Sequence, residues 1–318
     1  MNQIVNDAVV YTVSRNRQRG VLHNYHYKPK PRDDFKKGGK RDVQGLPRKY
    51  QSVVIGGDGE SKYMIGFEVE KNSIDRSVLR EYALFCGFER DGSCGVEAVT
   101  NPLPLLPASH WRTKVFDLMF QASRVIDDVH SPSDASCGGH ITVSVQGLTG
   151  EQLLVKMRPY AGLLMAMFRH RLKNSYCGYD PTLMGEDNRQ YRYGSYSQRY
   201  RVALPKQVYV NGEHVHLLEW RLPSRFTDVA QMMARYEFFF EFVDASVNGD
   251  GSDKSFKAFL KKVRPIVSRL YGGNKELMDK VYDYAYKFRS FILDAPQKDD
   301  EDMADKHAEV IGFLCREL

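Results

Sequence analysis

Apolar and polar residues alternate with period two in several short stretches of the chain. Over residues 63–70, Ile65, Phe67 and Val69 fall on one side, and Gly66, Glu68 and Glu70 fall on the other. Over 139–145, Ile141, Val143 and Val145 oppose His140, Thr142 and Ser144. Over 217–222, Leu218, Trp220 and Leu222 oppose Glu219 and Arg221. Successive strand side chains point to opposite faces, so each stretch predicts a strand with an apolar back and a polar front. A turn sequence from Asp91 to Gly95 leads into a further short strand that presents Glu97. Asn211-Gly212 is a two-residue hairpin signal and predicts a hairpin over 207–222.

The period changes to that of a helix over 73–86, 109–130 and 149–172. Beyond Pro223 it is helical throughout, over 229–243, 256–270, 276–293 and 303–318. The acidic run Asp299-Asp300-Glu301-Asp302 suits the start of the last of these. Residues 174–198 are polar and tyrosine-rich and read as a long functional loop. Gly56-Gly57-Asp58-Gly59 reads as a turn rather than a phosphate loop, because no helix pattern follows to supply the N-terminus such a loop needs. The expected organisation is a weakly structured arm over 1–60, a core over 61–225 and a helical region over 226–318.

Composition adds three constraints. With 42% hydrophobic and 27% charged residues in 318, the chain is ordinary for a globular protein and long enough to enclose a charged site. No apolar run approaches the ~18 residues of a membrane span, and the N-terminus lacks a basic-then-apolar leader, so no membrane association and a cytoplasmic location are expected. The five cysteines are irregularly spaced with no CxxC pair, which predicts neither a disulfide framework nor a paired-cysteine zinc site. The net charge of +6 is uneven: residues 14–49 hold twelve Lys and Arg against three acids, a net +9 that leaves −3 for the rest. Prolines, paired glycines and dense charge argue against a core in that arm.

If the alternating strands share one sheet, its front gathers Glu68, Glu70, Glu97 and Glu219. Carboxylates at short range raise one another's pKa, and bound cations are the simplest compensation. Oxygen-rich sites favour hard ions, so Mg²⁺ or Mn²⁺ is expected over Zn²⁺. His140 would complete a metal shell or contact phosphate, and the forked, permanently charged Arg221 suits a phosphate oxygen. The competing expectation is a solvated polar face, with Glu219 and Arg221 as a surface ion pair of little energetic weight.

The ordered set Gly66-Phe-Glu-Val-Glu70, Asp91-Gly-Ser-Cys-Gly-Val-Glu97, Cys137-Gly-Gly-His140 and Glu219-Trp-Arg221 resembles the amidoligase family of the glutamine synthetase and glutamate–cysteine ligase superfamily. The segment Asn24-Tyr-His-Tyr-Lys-Pro-Lys-Pro31 is similar to the lead-in of phage-type and bacterial members, which places the protein in a host cytoplasm if phage-encoded. The resemblance implies an α+β fold, with an antiparallel sheet of the glutamine-synthetase-like catalytic type packed on helices. It implies ATP and Mg²⁺ (or Mn²⁺) as cofactors. ATP would activate a substrate carboxylate as an acyl phosphate, which an amine then attacks to give an amide. The partners would be a small-molecule or peptide carboxylate and an amine. By this likeness Glu68 and Glu97 hold one metal, and Glu70, His140 and Glu219 hold another near the ATP phosphates. Asp91 sits near the amine or supports the Glu97 turn, and Arg221 stabilises charge on the transferring phosphate. Arg199-Tyr200 corresponds to an Arg-Tyr pair of the family, giving Arg199 a nucleotide or substrate role, although Leu204 is followed here by Pro205 rather than Asn. Thr142 stands where relatives carry a second histidine. Arg158, Arg169 and Arg192 are further basic candidates.

Other readings are a nucleic-acid-binding protein using the basic arm with Tyr25, His26 and Tyr27, and an inactive amidoligase relative. A zinc hydrolase or deaminase using Cys94, Cys137 and His140, and a Cys177 nucleophile, complete the set. The pattern does not fix an oligomeric state.

Overall fold

The computed structural model describes residues 3–5, 8–12, 53–55, 62–74, 84–91, 94–100, 103–172, 174, 177, 202–210 and 213–294. The chain is α+β. Strands β1 (Gln3–Val5), β2 (Ala8–Thr12) and β3 (Val53–Ile55) form a small antiparallel sheet in the order β1-β2-β3. It lies within the stretch where no core was expected.

The larger, antiparallel sheet contains β4 (Tyr63–Lys71), β5 (Phe85–Asp91), β6 (Gly95–Thr100), β7 (Leu103–Pro104), β8 (Ile141–Val145), β9 (Ala203–Val210) and β10 (Glu213–Trp220). The strand order is β5-β6-β4-β8-β10-β9, and β7 pairs with β4. Alternation in β4 and β8 produces the expected two-sidedness. On the back, Ile65, Phe67, Val69, Ile141 and Val143 are fully buried, and each such side chain contributes roughly 1.5–3 kcal/mol of burial. Phe67 meets the Phe226 ring edge-on at 5.7 Å. The front is buried too: every residue from Met64 to Lys71 is inside. A solvated polar face is therefore not what β4 presents.

Helix α1 (His110–Gln121) starts at Ser109, whose hydroxyl accepts from the Arg112 N–H at 3.2 Å. Helix α2 (Ser123–Ile126) follows at once, so the helical pattern over 109–130 is realised as two helices. Lys71, at the end of β4, is wholly buried. Its ammonium donates to Asp128 Oδ1 at 2.7 Å and to the Phe226 carbonyl at 2.8 Å.

Contacts divide the chain into two compact units, Met1–Leu148 with Lys206–Leu217 and Ser224–Tyr236, and Thr149–Pro205 with Leu218–Pro223 and Glu237–Leu318. The second unit is mainly helical. Its α3 (Gly150–Met157) opens on a reciprocal cap, in which Thr149 and Gln152 each satisfy the other's backbone N–H. A 3₁₀ turn carrying Pro159 breaks it from α4 (Ala161–Met167), which is buried on every side. The single helix expected over 149–172 is thus interrupted where proline lacks a donor and crowds the preceding turn. The long α5 (Val229–Asn248), α6 (Asp253–Leu270) and α7 (Lys275–Asp294) follow the apolar spacing closely. Gly162 lets α4 approach α7, since a Cβ there would collide with the Ala285 carbonyl. Phe238, Phe242, Phe256, Phe259 and Tyr160 interlock with ring centroids 5.6–6.5 Å apart.

The helix expected over 73–86 is not seen where it can be checked: Phe85 and Cys86 begin β5, and 75–83 lie outside the described residues. Also outside are most of the arm, the 56–59 turn, nearly all of the 174–198 loop, the Asn211-Gly212 turn and the 303–318 helix. Among the described residues no helix is long and apolar enough to cross a membrane.

Candidate metal centre

The strand registers decide which carboxylates meet. Glu70 stands directly opposite Glu97 on β6, and Glu68 lies beside it on the same face of β4. On the other flank Phe67 pairs with Ile141 and Gly66 with Thr142, and the Glu68 N–H donates to the His140 carbonyl at 3.0 Å. Directly opposed residues point the same way. The front of β6, β4 and β8 therefore carries Glu97, Glu70, Glu68, His140, Thr142 and Ser144 as one surface.

That surface is dry. Glu68 is 2% exposed, Glu97 3%, His140 5% and Glu70 6%. His140 Nδ1 lies 2.8 Å from Glu68 Oε2 and 3.5 Å from Glu70 Oε1. The Gly138 N–H donates to Glu70 Oε2 at 2.6 Å. Among the described residues, no hydrogen-bond partner meets the buried Glu68 Oε1 or the buried hydroxyls of Thr142 and Ser144. An anionic oxygen stripped of water without a partner costs several kcal/mol unless something cationic meets it.

The segment that delivers His140 is held on both sides. Gly138 bridges Ser224, and a Cβ on Gly139 would collide with the Ser224 carbonyl and lie 2.9 Å from the Phe226 ring. Arg235 clamps the facing segment, donating to the Ser224 carbonyl and hydroxyl and to the Arg225 carbonyl, with its guanidinium 4.7 Å from the Phe226 centroid. Glycine at 139 is thus required by close backbone packing. The main-chain donor that Gly138 offers to Glu70 is a contact that alternation alone does not reveal.

Glu219 and Arg221 are buried, at 0% and 8% exposed, and Arg221 Nη1 donates to Glu219 Oε1 at 2.5 Å. The Arg221 N–H donates to the Val202 carbonyl at 2.9 Å, which fixes the backbone from which the guanidinium projects. This is no surface ion pair.

Other candidates fare differently. Asp91 closes β5 opposite Gly95, whose φ of 106° is a turn geometry suited to glycine. Arg199 and Arg192 lie outside the described residues, as does the basic stretch 14–49 on which the nucleic-acid reading rests. Arg158 and Arg169 serve packing: Arg158 donates to the Ile292 carbonyl at 3.0 Å, and Arg169 lies 4.0 Å from the Tyr284 ring centroid. Cys94, Cys137 and His140 do not form a metal-spaced group among the described residues. Cys177 is buried and donates to the Arg171 carbonyl at 3.2 Å. No known protein-family model and no curated protein matches the chain.

Proposed function

We propose that the chain is an ATP-dependent carboxylate–amine ligase, built on a glutamine-synthetase-like sheet and working through Mg²⁺ or Mn²⁺. The supporting observation is the water-excluded Glu68, Glu70, Glu97 and His140 front, in which Glu68 Oε1 meets no hydrogen-bond partner among the described residues. The donor set fits a hard cation: several carboxylates with one imidazole suit Mg²⁺ or Mn²⁺, while a structural zinc site favours sulfur and nitrogen. Glu68, Glu70, Glu97 and His140 are the residues of this front that would hold the metal, and the resemblance adds Glu219 to them.

Bound metal supplies charge neutralisation for ATP phosphates, and ATP supplies the group that activates the carboxylate. The protein's part is positioning and electrostatics, the main demands of phosphoryl transfer. His140, held at Nδ1 by Glu68, is locked in ring orientation. Gly138 fixes the Glu70 carboxylate through a main-chain donor. Arg221, steadied by Glu219, keeps a permanent positive charge for a phosphate oxygen. The amine would then attack the acyl carbon of the activated carboxylate, forming the C–N bond of an amide as the C–O bond to phosphate breaks and phosphate leaves.

ADP release measured across a panel of carboxylates and amines tests this. Turnover should require Mg²⁺ or Mn²⁺ and both substrates, and Glu68→Ala should lower it at least about 100-fold, on the scale of losing a charge-stabilising group. Undiminished turnover in that variant would remove the metal role.

A further inference from the structure

The residue that follows β4 is fastened to segments on both sides of it. Asn72 donates its backbone N–H to the Pro132 carbonyl at 2.9 Å. Its side-chain amide donates to Asp134 Oδ2 at 2.8 Å, and its Oδ1 accepts from the Cys137 thiol at 3.0 Å. Asp134 in turn accepts from the Ser136 N–H at 2.8 Å and from the Ser136 hydroxyl at 2.6 Å, closing the turn between these anchor points. The next residue after Cys137 is Gly138, whose N–H meets Glu70 Oε2 at 2.6 Å. On the other flank a Cβ on Gly95 would come within 2.5 Å of the Asn72 carbonyl oxygen. Gly95 opens β6 two residues before Glu97.

From this geometry we infer that Asn72 is a positioning residue for the acidic front, holding the Gly138 N–H on Glu70 and seating the turn from which Glu97 emerges. Asparagine suits the task. One amide supplies both the donor that Asp134 takes and the acceptor that the Cys137 thiol takes, a pairing that neither aspartate nor alanine offers. The Asp134 carboxyl is held below its ordinary range, first by the hydrogen bond from the Ser136 hydroxyl, and the Asn72 amide adds to this. It therefore stays ionised, and an aspartate at 72 would set two like charges where one bond stood. Asn72 is itself exposed. Replacing it removes these bonds without hollowing the core, so loss of position can be read apart from loss of fold. The consequence for metal rests on the reading proposed above; the hold on Gly138 does not.

Hydrogen exchange of the Gly138 amide in the full chain, followed by NMR, reads that hold directly. Asn72→Ala and Asn72→Asp should each exchange there at least about tenfold faster than the wild type. Combining Asn72→Asp with Asp134→Asn reverses the direction of the amide–carboxylate bond and keeps the acceptor for Cys137, so it should return exchange to the wild-type rate. Mn²⁺ titration followed by electron paramagnetic resonance supplies the second readout. Asn72→Ala should bind Mn²⁺ about tenfold more weakly, the scale on which groups that orient metal ligands act, and the reciprocal pair should recover the affinity. Unchanged Gly138 exchange in Asn72→Ala, or a reciprocal pair that restores nothing, overturns the proposal. Faster exchange with unaltered Mn²⁺ affinity overturns the role of Asn72 at the metal front. A wild-type chain that binds no Mn²⁺ counts against the metal reading instead, and exchange at Gly138 still decides whether Asn72 holds that amide.

Discussion

Replacing Glu68 with Gln should separate metal binding from folding. Gln keeps an acceptor for His140 Nδ1 and removes a buried charge whose Oε1 has no partner. The metal-free variant should therefore melt at or above the wild-type temperature. In the wild type, metal at 100 times its Kd stabilises by about 2.7 kcal/mol. At about 2–4 °C per kcal/mol for a chain of this size, the expected rise in Tm is about 5–11 °C. If losing the carboxylate raises Kd about 100-fold, the same metal concentration equals the variant's Kd. The stabilisation then falls to about 0.4 kcal/mol, a shift of about 1 °C. Differential scanning fluorimetry with Mg²⁺ or Mn²⁺, against a chelator control, reads both numbers. An equal metal-induced shift in the variant would refute the reasoning, as would a wild type whose Tm ignores both ions.

Three further outcomes are expected. Gly139→Ala should destabilise by about 2–3 kcal/mol in urea unfolding, because the new methyl meets the Ser224 carbonyl and the Phe226 ring. Lys71→Ala should cost about 1–3 kcal/mol by the same measurement, since it takes their shared donor from Asp128 and the Phe226 carbonyl. Tyr236 is held above its ordinary pKa of 10.0 mainly by burial, and its hydroxyl donates to the Pro104 carbonyl at 2.5 Å and accepts from the Leu106 N–H at 2.8 Å. A raised folded pKa means its stabilisation is complete below pH 10 and is lost as pH climbs beyond it. Unfolding curves should therefore weaken more steeply above pH 10 in the wild type than in Tyr236→Phe, which also loses about 1–3 kcal/mol at neutral pH.

The front of the sheet was legible where alternation runs unbroken. Ile65, Phe67 and Val69 against Glu68 and Glu70, and Ile141 and Val143 against His140, declare their faces without any tertiary knowledge. Strand β5 hides because its register slips between Phe85 and Gly87, and a bulge erases the period-two signal. The break at Pro159 was available in the sequence as a helix stop, yet apolar spacing on both sides masked it. Lys71 was not legible: a lysine at a strand end reads as solvated, and only the placement of Asp128 and the Phe226 carbonyl makes its burial tolerable. Nor could spacing reveal that the Cys137 thiol meets the Asn72 side chain, since 65 positions separate them.

The contact between Gly138 and Glu70 carries a consequence for how this protein tolerates drift. A donor that belongs to the main chain survives almost any exchange of side chain, and of the twenty residues only proline lacks it. The orientation of Glu70 is therefore buffered against point changes in the protein's partner residue, while Glu68, which leans on an imidazole, is exposed to them. Random mutagenesis should accordingly leave the Glu70 side of this front standing long after the His140 side has begun to fail.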